Sequence, residues 1–137
     1  MDEEVKVLKS GKFNRIRMFS RVGGRSRRRT IRDATITVTE NGVSFKGVQL
    51  IERTPVETQI DFRGILNFIL ETYEGRDGNP VYRIRVNRFI FWTTDKSWFD
   101  VIDGKVKALG NLMRREVIQY RPTRYTIPKI IESVRVP

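Results

Sequence analysis

The sequence predicts a mainly β (α+β) fold in which about seven antiparallel strands form a small PH-like barrel or sandwich and one helix follows them. Apolar and polar residues alternate through most of the chain as far as Thr93, and the apolar spacing then changes to three and four. The length of 137 residues and the 39% hydrophobic content suit one packed domain. We expect a single domain at 1–137, with a core at about 5–115, a basic loop at 23–32 and a C-terminal extension at 116–137.

The strands are predicted from their period of two. β-Branched residues lead into Asn41-Gly42, the favoured pair for a type I′ hairpin turn, and the alternation resumes after it. Other short strands are expected at 49–51, 56–62, 65–73, 81–86 and 89–93. The first strand, Phe13–Val22, would carry aromatic and basic residues on one face: Phe13, Arg15, Arg17, Phe19 and Arg21.

The helix is predicted at about 97–115. Ser97 with Asp100 resembles a capping box, and Arg114-Arg115 would suit the negative end of the helix dipole. The chain beyond the helix is expected to add an edge strand or to wrap around the barrel. The apolar stripe of the helix consists of Trp98, Ile102, Val106, Leu109 and Met113.

This order of elements resembles the pleckstrin-homology-like and GRAM-like superfold. ATITVTENGVSFKG (34–47) looks like the early hairpin of that group, ETQIDFRGI (57–65) resembles a later strand step, and the closing helix would begin at SWFDVID (97–103). A narrower resemblance is to the archaeal chemotaxis adaptor (CheF-type) family, in which a similar meander and helix precede a short basic strand, here REVIQYRPTRYTI (115–127). The resemblance implies a binding module, but the superfold serves lipid, peptide and protein ligands alike.

The composition limits the possible chemistry. The chain has no cysteine and no histidine, so disulfides, thiolate nucleophiles and the usual zinc ligands are excluded. It contains no phosphate-loop pattern and no nucleophile elbow. Two groups of acids, at 71–77 and 95–103, are explained by the preferences of turns and helix starts. We therefore expect a protein that is not an enzyme, with no catalytic residues, no metal site and no cofactor.

The positive charge is concentrated near the start of the sequence. The net charge is +11, and the segment from Val5 to Arg32 holds eleven lysines and arginines without one acid. The other 16 basic residues equal the 16 acids in number, so this segment carries the whole excess. Such an asymmetry indicates an anionic partner.

The stretch GGRSRRRTIR (23–32) is the centre of this charge, and its Gly-Gly favours a flexible loop or bent arm. Arginine binds phosphate through a planar fork of donors, and interleaved aromatics can stack on bases. The predicted polyanion-binding residues are Arg15, Arg17, Arg21, Arg25, Arg27, Arg28, Arg29 and Arg32. The predicted stacking residues are Phe13 and Phe19, and a second basic patch would comprise Arg114, Arg115, Arg121 and Arg124. If the tail returned beside the first strand, the two groups would form one face.

We therefore predict a non-catalytic, cytoplasmic binding protein whose partner is RNA or DNA, held mainly through its phosphates. The alternative is a protein–protein adaptor, of the archaeal chemotaxis or archaellum type, that docks an acidic partner. An anionic membrane surface ranks last, because no amphipathic or acylation signal accompanies the charge. The many charged residues and the absence of cysteine are compatible with a thermophilic source.

Overall fold

A computed structural model describes residues 5–22, 24–109 and 112–120, and within them the chain forms eight strands, a 3-10 turn at Phe62–Gly64 and one helix. The prediction of a mainly β fold with one helix is confirmed, with eight strands in place of about seven. The strands are Val7–Val22 (β1), Arg25–Thr39 (β2), Gly42–Gln49 (β3), Pro55–Asp61 (β4), Asn67–Glu74 (β5), Pro80–Val86 (β6), Phe89–Thr93 (β7) and Arg114–Gln119 (β8), and the helix is Ser97–Leu109 (α1).

The strands form one sheet in the order β4-β3-β2-β1-β7-β6-β5-β8. Every neighbouring pair is antiparallel except β5 and β8, which run parallel. In the described part of the chain β4 and β8 are the two edges, so the sheet is not a closed barrel. An edge strand, one of the two alternatives expected for the chain beyond the helix, is therefore present as β8. It lies beside β5, on the opposite side of β7 and β6 from β1.

The sheet curls strongly around its core. Phe45 of β3 stacks on Phe89 of β7 with ring centroids 4.1 Å apart, although β2 and β1 lie between their strands in the sheet order. In a flat sheet three strand steps would separate these backbones by about 14 Å. The inner face of the sheet therefore folds over on itself and encloses a core rich in phenylalanine and isoleucine.

Helix α1 covers the open side of this curled sheet. Trp98, Ile102 and Val106 are buried as the spacing predicted, and Phe99 stacks on Phe68 of β5 at 4.7 Å. The helix ends at Leu109, whereas we predicted an end near residue 115. No helix in the described residues is long and apolar enough to cross a membrane.

The two arginines expected at the end of the helix lie in strand β8 instead. Arg114 pairs with Asn67 and Arg115 with Phe68, so the backbone groups of this segment bond to β5. Arg115 donates two hydrogen bonds to Asp103 of α1, at 2.8 and 2.9 Å. This bidentate ion pair joins the edge strand to the helix.

The β2–β3 hairpin is present, but its predicted type I′ turn is wrong. Neither Asn41 nor Gly42 has a positive φ, which that turn requires at both central residues. Instead the Thr39 hydroxyl accepts hydrogen bonds from the backbone N–H groups of Asn41 (3.1 Å) and Gly42 (3.3 Å). Gly42 is needed for a different reason: a Cβ there would lie 2.1 Å from the carbonyl oxygen of Ile60 on β4.

The short strand predicted at 49–51 is also wrong beyond Gln49, the last residue of β3. Leu50 and Ile51 form the turn between β3 and β4, and the Ile51 side chain is 91% exposed. Thr54-Pro55 then leads into β4, and proline is tolerated there because it is the first residue of an edge strand.

Candidate nucleic-acid interface

The arginine-rich segment is a strand, and its prediction as a flexible loop at 23–32 is wrong. β2 begins at Arg25, and its pairing with β1 runs without interruption from Arg17↔Thr30 to Val22↔Arg25. β1 ends at Val22 and β2 begins at Arg25, and Gly24 between them has φ +77°. A Gly-Gly pair between two alternating segments is a signal for a two-residue hairpin, so the sequence contained this information.

The end of this hairpin projects beyond the rest of the sheet. β7 pairs with β1 only at Arg17 and Met18, with one further bond from Phe19 N–H to Arg88 O at 2.8 Å. β3 pairs with β2 only as far as Ile31. Among the described residues, the pairs from Ser20↔Arg27 to Val22↔Arg25 have no third strand beside them. We call these paired residues, 20–22 and 25–27, the hairpin arm.

Phe13 does not lie on the face of Arg15 and Arg17, so this prediction is wrong. Its ring is 1% exposed and makes edge-to-face contacts with Phe91 (5.3 Å) and Trp98 (5.4 Å) in the core. Phe13 and Ile16 are both buried although they are three residues apart, so the strict alternation is interrupted between them. A buried ring is not available to stack on an external base.

Strand β2 is also irregular, at the residues that lie opposite Phe13–Ile16 of β1. Its register with β3 shifts between Arg32 and Thr35, and Asp33 has φ +50°. Ile31 and Ala34 are both buried, again three residues apart. Irregularities in two adjacent strands bend the hairpin and change which side chains face outward. The alternation of apolar and polar residues in the sequence does not reveal that the buried positions shift by one residue at this point.

The outward face of the sheet beyond this bend is strongly basic. Directly opposite residues of an antiparallel pair share a face, and the register aligns Thr30, Arg17, Ile90 and Arg85 across four strands. Arg83 lies one step further along β6, opposite Trp92. We define the basic outer face by its six arginines: Arg15, Arg17, Arg28, Arg32, Arg83 and Arg85.

Arg83 and Arg85 were not among the binding residues predicted from the sequence. They lie in VYRIRV (81–86), whose alternation with buried Ile84 and Val86 already placed them outward. Their proximity to Arg17 depends on the strand order, in which β7 joins β1 to β6. A charge count along the chain therefore could not associate them with the N-terminal arginines.

The aromatic side chains on this face are already engaged. The guanidinium carbons of Arg28 and Arg85 each lie 5.8 Å from the ring centroid of Phe19. The corresponding distance from Arg83 to Trp92 is 5.9 Å, and Tyr73 contacts the Trp92 ring at 5.4 Å. Phe19 is accordingly on the outer face as predicted, as a platform between two guanidinium groups.

Burial and the high density of positive charge lower the pKa of one arginine of this face, and two others form a repulsive pair. The pKa of Arg17 lies below its usual value, because burial and the positive charges of Arg28 and Arg83 disfavour its charged form. Arg15 and Arg32 are directly opposite each other and both exposed, a like-charge arrangement that costs stability. In the described part of the chain the side chains of Arg15 and Arg32 have no ion-pair or hydrogen-bond partner.

Within the described residues, one carboxylate forms an ion pair with an arginine of the basic outer face. Glu71 of β5 accepts a hydrogen bond from Arg83 Nη1 at 3.0 Å and another from the Tyr73 hydroxyl at 2.6 Å. Burial and the bond to Glu71 raise the pKa of Tyr73. Arg83 is therefore held in place by an ion pair, while the other five arginines have no carboxylate partner among the described residues.

The opposite face of the hairpin carries Arg25, Arg27 and Arg29, and these three differ in their surroundings. Arg29 bonds to Ser20 Oγ and Gln49 Oε1, each at 3.2 Å, and forms an ion pair with Glu52. It thereby fastens the base of the hairpin arm to the β3–β4 turn. A cleft of about 250 Å³, lined partly by Arg27 and Ile51, lies between these two elements.

Arg25 and Arg27 are exposed, and in the described residues their side chains have no ion-pair or hydrogen-bond partner. They are thus the available cations of this face. The backbone of Arg21 lies in the hairpin arm opposite Ser26, but the structure does not describe its side chain.

The predicted second basic patch does not join the first. Arg114 forms an ion pair with Glu116 (2.7 Å) and Arg115 with Asp103, and β8 lies on the far side of the sheet from β1. Arg121 and Arg124 lie outside the described residues. Within the described chain, no group of three or more histidine, cysteine, aspartate or glutamate side chains is arranged to hold a metal ion.

Comparisons with protein-family models, curated proteins and solved structures found no match to this chain. The class of this protein therefore has to be inferred from the structure of the candidate site. The site is an open curled sheet with a basic outer face and a projecting basic hairpin arm.

Proposed function

We propose that this protein is a non-catalytic nucleic-acid-binding protein that holds its ligand through phosphate contacts on the basic outer face and the hairpin arm. The observation that carries the proposal is the set of exposed arginines without carboxylate partners, Arg15, Arg25, Arg27 and Arg32, beside the cluster around Phe19. A face built only for solubility would intersperse charges of both signs. Here one guanidinium lies opposite another, and the pKa of Arg17 is lowered by its burial and its basic neighbours.

Phosphate is the anion that best suits this arrangement. Each exposed guanidinium offers a planar set of donors that can bind two phosphate oxygens at once. Phosphates repeat along a nucleic acid at a few ångströms, so several arginines on one face can each meet one. An acidic protein would supply carboxylates at less regular intervals, and this partner is the alternative that the experiment distinguishes.

The test is fluorescence anisotropy with labelled oligonucleotides, titrated at several salt concentrations. We expect binding that persists at about 0.15 M salt, with a steep log–log dependence of affinity on salt because bound counterions are released. The double variant Arg15→Gln, Arg32→Gln should bind more weakly and reduce the salt slope by about 2, one unit for each phosphate that is no longer neutralised.

The matched control is the double variant Arg63→Gln, Arg76→Gln, which makes the same change in net charge. Both arginines are exposed, in the 3-10 turn after β4 and in the β5–β6 turn, outside the basic outer face and the hairpin arm. The control should retain the wild-type slope. Binding that disappears below physiological salt, or an equal loss in both variants, would refute the proposal and direct the search to acidic proteins.

A further inference from the structure

We propose that the hairpin arm enters the major groove of B-form duplex DNA. The proposal is drawn from the geometry of the arm, and it rests on the proposed function. The arm is an antiparallel ribbon of two strands whose pairing continues to Val22↔Arg25. The three pairs that extend beyond the sheet, from Ser20↔Arg27 to Val22↔Arg25, span about 7 Å at the usual rise per residue, which is within the depth of a groove. The major groove is about 12 Å wide and about 8.5 Å deep, and it admits a two-stranded ribbon.

The distribution of charge on the hairpin also fits a groove. Arg25 and Arg27 project from one face of the ribbon, and Arg28, at its base, projects from the other. The segment 19–28 contains four arginines and no acid. A ribbon in a groove has a phosphate backbone on each side, so arginines on both faces can contact phosphate. A ribbon that lay flat against one nucleic-acid strand would need arginines on one face only.

The contacts of the aromatic residues disfavour a single-stranded ligand. Single strands are usually bound by exposed aromatic rings on which the bases stack. In this protein Phe13 is in the core, Phe19 is flanked by two guanidinium groups, and Trp92 contacts both Arg83 and Tyr73. A base could stack on these rings only after displacing a neighbour.

The shape of the groove separates DNA from RNA. The major groove of an A-form RNA duplex is deep and narrow, and protein elements do not fit into it. The basic outer face could still contact the backbone of such a duplex. The hairpin arm therefore predicts a preference for duplex DNA over duplex RNA, in addition to a preference over single strands.

The experiment uses the full chain and three labelled ligands of equal length: a mixed-sequence DNA duplex, the RNA duplex of the same sequence and one DNA strand. We expect the DNA duplex to bind at least about tenfold more tightly than either of the others at physiological salt. The double variant Arg25→Gln, Arg27→Gln should bring its affinity for the DNA duplex close to that for the RNA duplex. Arg63→Gln, Arg76→Gln serves as the control of equal charge and should retain the preference.

The outcomes separate this inference from the proposed function. Equal or tighter binding of the single strand or of the RNA duplex would overturn the groove model and leave nucleic-acid binding intact. A preference for duplex DNA that survives in the arm variant would also overturn it, since the arm would not be its cause. Failure of the wild-type protein to bind any of the three ligands would remove both proposals.

Discussion

Arg15 and Arg32 lie directly opposite each other on β1 and β2, with both side chains exposed. Cross-strand neighbours have Cβ atoms about 5 Å apart, and like charges at that distance destabilise the pair. Neither guanidinium has an ion-pair or hydrogen-bond partner in the described chain to offset the repulsion. An anionic ligand would remove this cost on binding, so stability and binding should respond in opposite directions to a change of charge here.

Reversal of one charge in the Arg15–Arg32 pair tests whether stability and binding respond in opposite directions. We expect Arg15→Glu to increase the free energy of unfolding by about 0.2–1 kcal/mol, because a like-charge pair becomes an opposite-charge pair. The same substitution should weaken nucleic-acid binding more than Arg15→Gln does. Urea unfolding and anisotropy on both variants measure the two effects. A destabilised Arg15→Glu protein, or one with wild-type affinity, would contradict this account of the face.

Substitution of Phe13 should affect folding alone. Its ring packs against Phe91 and Trp98 in the core, so Phe13→Leu should lower the free energy of unfolding by about 1–2 kcal/mol, because the smaller side chain of different shape packs less well there. Affinity for nucleic acid, measured well below the unfolding transition, should not change. A marked fall in the affinity of the folded variant would mean that Phe13 contacts the ligand after all.

Two glycine substitutions are expected to have opposite signs. A Cβ at Gly42 would lie 2.1 Å from Ile60 O, so Gly42→Ala should separate β3 from β4 and cost about 1–3 kcal/mol. At Gly104 in α1 no atom lies within 4 Å of the added Cβ, so Gly104→Ala should stabilise the helix by about 0.5–1 kcal/mol. Thermal unfolding of the two variants measures both changes in stability. Equal effects would show that the β3–β4 approach is not tight.

Asp95 should contribute to the loss of stability in acid. The hydrogen bond from Lys9 Nζ (2.8 Å), supported by bonds from Ser97, lowers the pKa of this carboxyl to about 2 against the opposing effect of burial. Because the folded-state pKa is depressed, the stabilisation is complete above the unfolded-state pKa, near about 4. It is lost as the pH falls towards about 2.

The corresponding variant is Asp95→Asn, whose amide oxygen can still accept from the Ser97 N–H at the start of the helix. We expect its urea midpoint to fall less than that of the wild type between about pH 4 and about pH 2.5, and to be lower at neutral pH. Asp100→Asn is the control, since Asp100 is exposed and lies 3.9 Å from its partner Lys96. An unchanged acid dependence in Asp95→Asn would contradict the role assigned to Lys9.

Most elements of the fold could be predicted from the sequence, because local periodicity and turn chemistry specify them. The alternation in Val81–Val86 and the stripe Trp98, Ile102, Val106 led to correct positions for β6 and for the start of α1. The Gly-Gly at 23–24 also indicated a two-residue hairpin, but the high charge around it favoured an interpretation as a loop. Arg114 and Arg115 were misplaced because a strand at the sheet edge needs a distant partner, β5, which local pattern does not reveal.

The sequence by itself determined the class of fold, the sign of the charge and its concentration on the first two strands. Only the tertiary structure decided which arginines act together. The irregularities near Asn14 and Asp33 bury Phe13 with Ile16, and the strand order brings Arg83 and Arg85 of β6 to Arg17 across β7. The physical reason is that a face of a sheet is defined by register between strands, and register depends on contacts between residues far apart in the chain.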